Sequence, residues 1–192
     1  MRTFLIAVIL TAAGPALAGK AAQSSTPETE RLDQELGSLA TKNAWAGVER
    51  VYTKLVELGE PPSVSAHLLG ARAARDRGDM LAVLVRLRAA SRAGAGHVVE
   101  PGTPIDEAMQ ALDDLESRFG RVRMRVSEPR TPVLIRPEAP FAPDERASIN
   151  HARERLADGR YFRGLLPTGR YVLDGFAFEV AAGPNFQDIT LE

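Results

Sequence analysis

Residues 36–90 read LGSLATKNAWAGVERVYTKLVELGEPPSVSAHLLGARAARDRGDMLAVLVRLRAA, and one apolar pattern passes through them twice. Leu36, Gly37 and Ala40 open the first pass, and Trp45, Val48, Tyr52 and Leu55 complete it. Leu69, Gly70 and Ala73 open the second at an offset of 33, and Met80, Val83, Leu87 and Ala90 complete it at an offset of 35. Apolar residues spaced by three and four share one face of a helix, and a period of this length is that of a helical hairpin. Such repeats usually hold other molecules rather than transform them, so the stretch points to an architecture before a chemistry.

Around this core, start and stop signals delimit the helices. Thr26 before Pro27, Glu28 and Glu30 supplies a capping hydroxyl, a proline at the first helical position and acids at the positive end of the dipole. A helix is expected over 27–41 with Leu32, Leu36 and Leu39 as its stripe, a turn at Asn43, and a second helix over 44–58 that buries Trp45, Val48, Tyr52 and Leu55. Gly59-Glu60-Pro61-Pro62 ends it, because glycine accepts the terminal left-handed conformation and proline cannot continue the ladder. Ser63 or Ser65 caps a third helix running to Arg75, Gly78-Asp79 makes a turn, and a fourth helix spans 79–92. Trp45 and Tyr52 fall on the repeat's apolar stripe and read as core; exposed, they would be binding anchors.

These residues resemble two tetratricopeptide repeats over 28–93. Leu36-Gly37 and Leu69-Gly70 match the family's Leu-Gly, Val48 to Tyr52 and Val83 to Leu87 echo its Ala-x3-Phe, and Pro61 or Pro62 matches its closing proline; Asp33 and Ala66 stand where the family has tryptophan. The resemblance implies a helical-hairpin platform for protein or peptide binding. Two hairpins leave an apolar face open, so a capping helix is expected after the linker of residues 94–102. Thr103-Pro104-Ile105-Asp106 opens it, and Ile105, Met109, Leu112, Leu115 and Phe119 form its stripe.

After Gly120 the period falls to two. Arg121, Arg123 and Arg125 alternate with Val122, Met124 and Val126, so one face of this strand is apolar and the other carries three guanidinium groups. A short strand at 133–136, a proline-bounded loop at 137–143, a helix over 144–157 capped by Asp144, and strands at 161–162, 170–174, 177–180 and 188–191 complete the pattern. Residues Leu166 to Leu173, LPTGRYVL, with the opening strand and the closing residues 187–192, resemble the surface-associated β domains called PEGA domains. They are also similar to the carboxypeptidase regulatory, prealbumin-like sandwich. The resemblance implies a β-sandwich-like module that adheres or positions, with the helix over 144–157 as an insertion. The fold class expected is α+β: a helical domain at 27–119 and a small β domain at 120–192.

The amino terminus carries Arg2, an apolar run from Phe4 to Ala13, Pro15, and small residues in Ala16-Leu17-Ala18. This is the pattern of a signal peptide (1–18) cleaved after Ala18, since the run is too short to span a bilayer. A flexible leader at 19–26 follows. The protein is accordingly expected in the periplasm or secreted, with no stable transmembrane anchor after cleavage. The 192 residues contain no cysteine, which removes lipidation at cysteine, disulfides and thiolate chemistry. A net charge of −1 with 26% charged residues argues against nucleic acid as a partner.

Candidate chemistry is sparse. His67, His97 and His151 lack metal-ligand spacing; His151 and Glu154 meet on a helix as a solvated pair. Asp113, Asp114 and Glu116 read as a solvated acidic face, and Gly94-Ala95-Gly96 lacks the strand and third glycine of a phosphate loop. No nucleophile, base and orienting group fall in a recognisable order, so no enzyme, metal or cofactor is expected. The residues singled out for partner binding are Arg121, Arg123 and Arg125, which could grip a carboxylate, a phosphate or an acidic partner; the plainer reading is that they keep an open sheet face soluble. The functional expectation is an exported, non-enzymatic adaptor or scaffold for a protein or peptide partner in the cell envelope. The alternative is a cell-wall or surface-glycan binding module acting through the β domain.

Overall fold

Thr26 opens the first helix in the computed structural model, which describes residues 26–96, 98–127, 133–137 and 142–191. The signal peptide, residues 19–25 of the leader, His97, residues 138–141 of the proline-bounded loop and Glu192 lie outside the described residues. Helices α1 (Pro27–Thr41), α2 (Trp45–Glu57), α3 (Val64–Asp76) and α4 (Met80–Ala93) form two hairpins, and α5 (Pro104–Arg118) closes the stack. Four of the five starts are fixed by side chains that accept from free amides, Thr26 from Thr29, Ser63 from Ala66, Asp79 from Ala82 and Thr103 from Asp106, while α2 begins after Ala44 with no side-chain cap. Asn43 turns the chain with φ 53°.

The two passes of the repeat are not equivalent. Tyr52 of α2 lies against Gly70 of α3, where a Cβ would stand 2.6 Å from the ring, whereas Gly37 has open space beside it. Above Tyr52, the Arg86 guanidinium sits 4.4 Å from the ring centroid, donates to Glu49 at 2.5 and 2.7 Å, and donates to the Gly70 carbonyl at 2.6 Å. The Tyr52 hydroxyl and His67 Nδ1 are 2.8 Å apart, so the polar groups of this tightly packed layer are paired with each other. In α5 the buried side chains are Ile105, Ala108 and Leu115; Met109, expected in the stripe, is exposed. Phe119, also expected there, is the first strand residue and reaches the helical core from the sheet.

The β half has two three-stranded sheets. The first has the order β3–β1–β6, from β1 (Phe119–Val126), β3 (Tyr161–Pro167) and β6 (Phe186–Leu191), with β1 antiparallel to β3 and parallel to β6. The second has the order β2–β4–β5, from β2 (Leu134–Ile135), β4 (Gly169–Leu173) and β5 (Phe176–Val180), antiparallel throughout. Val122, Met124, Phe162, Leu166 and Ile189 of the first sheet share one core with Leu134, Tyr171, Leu173 and Val180 of the second. The buried Tyr171 hydroxyl donates 2.8 Å back to the Pro167 carbonyl, fixing the turn between β3 and β4. The chain is thus α+β.

Helix α6 (Pro143–Gly159) joins the two halves. Its Ile149, Ala152 and Leu156 enter the β core, while Ser148 donates 2.6 Å to the Leu165 carbonyl. Asp144, expected as its cap, instead accepts from Arg118 of α5 at 3.0 Å; the N-cap is Ala142, whose amide donates to Glu145. Gly78, at φ 74°, lies so close to α6 that a Cβ there would overlap the Ala147 carbonyl.

Candidate functional site

β1 alternates as its sequence dictates. Gly120, Val122, Met124 and Val126 are buried on one side, and Phe119, Arg121, Arg123 and Arg125 occupy the other. The register sets that second face out in rows: Leu165, Arg121 and Phe186; then Arg163, Arg123 and Asp188; then Tyr161, Arg125 and Thr190. Because α5 runs directly into β1, the helices cover the end of the face where the strand begins. Phe119 and Leu165, each 2% exposed, pack into the helical core beside Leu84, Leu87 and Leu115. Exposure then rises along the strand, from 13% for the Arg121 side chain to 43% for Arg123, with Arg125 in the open row beyond.

The structure brings the three predicted arginines onto one face but gives them different surroundings. Arg121 donates to the Pro184 carbonyl and lies 3.5 Å from Glu116. Arg123 lies 3.4 Å from Asp188 and 4.8 Å from the Phe186 ring centroid. Arg163, directly across from Arg123, also sits 4.8 Å from that centroid, and among the described residues neither Arg163 nor Arg125 meets a carboxylate. Where β1 meets α4 and α5, a cleft of about 290 Å³ is lined by Leu84, Arg88, Glu116, Phe119, Arg121, Leu165, Gly183 and Pro184. Glu116 is shared there between Arg88 and Arg121.

Sequence reasoning missed Arg88, Arg163 and Phe186. Arg163 alternates with Tyr161 in a strand that was expected to end at Phe162, and only continuation of that alternation through Gly164 would have found it. The remaining candidates have structural partners. His67 is buried against Tyr52, and burial, then the charges of Arg92 and Arg86, hold its pKa below the ordinary value. His151 packs edge-on to Phe162, while Glu154 is exposed. Asp114 pairs with Arg118, and Gly94 gives Ile105 of α5 room to close on α4. Trp45 is partly exposed: it packs against the core of the first hairpin and also lines an open groove with Arg72, Arg75, Pro143 and Ala147. No helix among the described residues is long and apolar enough to cross a membrane, and no three His, Asp or Glu side chains among them gather as a metal set.

No protein-family model matches the chain, and no curated protein or solved structure matches it.

Proposed function

We propose that this protein is an exported, non-enzymatic adaptor of the cell envelope that holds a protein partner by an acidic segment laid across the face of β3, β1 and β6. The observation that carries this reading is the Arg123–Arg163 pair. Like charges directly opposite in a sheet oppose folding, and here the two share one aromatic ring while the exposed Asp188 meets Arg123 and leaves Arg163 without a carboxylate among the described residues. An incoming carboxylate offsets that repulsion and gains charge-assisted hydrogen bonds from planar guanidinium groups. The helical hairpins serve as a rigid mount, joined to the sheet through Phe119, Leu165 and α6. The tetratricopeptide and PEGA resemblances fit the same division between a platform and a positioning module.

The test is fluorescence anisotropy of a labelled hexaglutamate peptide with the full chain and with Arg123→Ser/Arg125→Ser/Arg163→Ser. Saturable binding that the triple variant loses is expected; equal binding by both proteins would overturn the reading. The second reading, an acidic surface glycan on the same face, draws on Tyr161, which is 41% exposed beside Arg125 and offers a ring on which a sugar can stack. Preference for polygalacturonate over hexaglutamate in the same assay would select it.

A further inference from the structure

We infer that the cleft between α4, α5 and the start of β1 receives the C-terminal residue of the partner polypeptide, with its carboxylate between Arg88 and Arg121 and its apolar side chain against Leu84, Phe119 and Leu165. This rests on the reading of the protein as a partner-binding adaptor and identifies which part of the partner enters. Three features carry it. Arg88 and Arg121 already converge on one carboxylate, that of Glu116, so the two guanidinium groups stand where a carboxylate is held. Arg121 is largely shielded from water and is oriented by the Pro184 carbonyl, and a shielded, positioned cation binds an anion more strongly than a solvated one. The cleft's volume, about 290 Å³, lies at the small end for ligand sites, and its walls are apolar apart from these charges, which suits a single residue with an aliphatic or aromatic side chain.

Its position fixes the direction of the partner chain. Arg121 shares its row with Phe186, and the rows of Arg163 and Arg123, then Arg125, follow outward along the same face. A segment whose last residue sits in the cleft therefore passes its preceding acidic residues over the open arginines. Glu116 is the internal occupant that the terminal carboxylate displaces.

The experiment titrates the full chain with N-acetyl-Glu-Glu-Glu-Phe as the free acid and as the C-terminal amide. The free acid is expected to bind about tenfold more tightly, the value of one charge-assisted hydrogen-bond pair. Arg88→Gln, at an exposed position, should narrow the gap between free acid and amide. Glu116→Gln should tighten the free acid by removing its competitor, and melting curves of both variants report whether the fold is intact. Equal binding of acid and amide, both lost in Arg123→Ser/Arg125→Ser/Arg163→Ser, would overturn the cleft assignment and leave the adaptor reading standing. Failure of both peptides to bind would overturn both.

Discussion

Arg123 on β1 and Arg163 on β3 are direct cross-strand partners, and both guanidinium groups lie 4.8 Å from the ring centroid of Phe186. Like charges placed directly opposite weaken a sheet. Arg163→Thr places a strand-favouring residue at the position and removes the repulsion, so the free protein should gain about 0.5 kcal/mol at low salt. The same variant should bind hexaglutamate more weakly. Melting curves at 20 mM and 500 mM salt check the first point, because the gain should shrink as salt screens it; a lower melting temperature at low salt would count against the repulsion.

Glu49 and Arg86 make the least exposed ion pair of the helical half, at 2.5 and 2.7 Å. Burial alone would raise the Glu49 pKa, but the hydrogen bonds and charge of Arg86, with the charge of Arg77, bring it below the ordinary value. A lowered folded pKa means stability that is present above the unfolded value and lost as pH falls through the folded one. Glu49→Gln should therefore cost about 2 kcal/mol near neutrality, and its deficit should shrink as pH drops below the ordinary carboxylate range. Urea midpoints of both proteins between pH 7 and 3 measure this; a deficit independent of pH would contradict it.

His67 gives a separate signal at higher pH. Its pKa is lowered chiefly by burial, so the unfolded chain takes up the proton first and stability falls as pH drops below the ordinary histidine value. His151 is lowered by burial as well and contributes in the same direction. His67→Phe should flatten, though not abolish, the loss of stability between about pH 7 and pH 5. An unchanged slope would place that loss elsewhere.

Gly78 is where the helical stack meets α6. Alanine there meets both a left-handed φ of 74° and the Ala147 carbonyl, so Gly78→Ala should destabilise by about 1–2 kcal/mol or more. Hydrogen exchange should rise over 143–159, the helix forced away, more than over α1 and α2. Uniform change throughout the chain would mean that α6 is not the element displaced.

The helical half was legible in the sequence because most helix starts carry their own chemistry: the expected 27–41 helix and the Thr103 cap stand as observed, and of Ser63 and Ser65 it is Ser63 that caps α3. What was not legible came from contacts distant in sequence. Leu165 reads as one apolar residue among several, and nothing local says that it faces the helices rather than the β core. β3 runs on to Pro167, past the expected end at Phe162, and Gly164 within it leaves space over which the Phe162 ring folds. Asp144 has the composition of a cap, but Arg118, 26 residues earlier, claims its carboxylate. The three arginines of β1 were visible as a face; their inequality depends on helices that cover only one end of it.

The proposed binding at the sheet face is tested most directly in the native cells, by placing the photoreactive residue p-benzoylphenylalanine at Tyr161 beside the open arginines and, as a control, at the exposed Glu57 of α2. One discrete polypeptide adduct from position 161, absent from position 57 and lost when Arg123→Ser and Arg163→Ser are added, is the expected result. An adduct that persists without those arginines, or none at position 161, would contradict partner binding at this face.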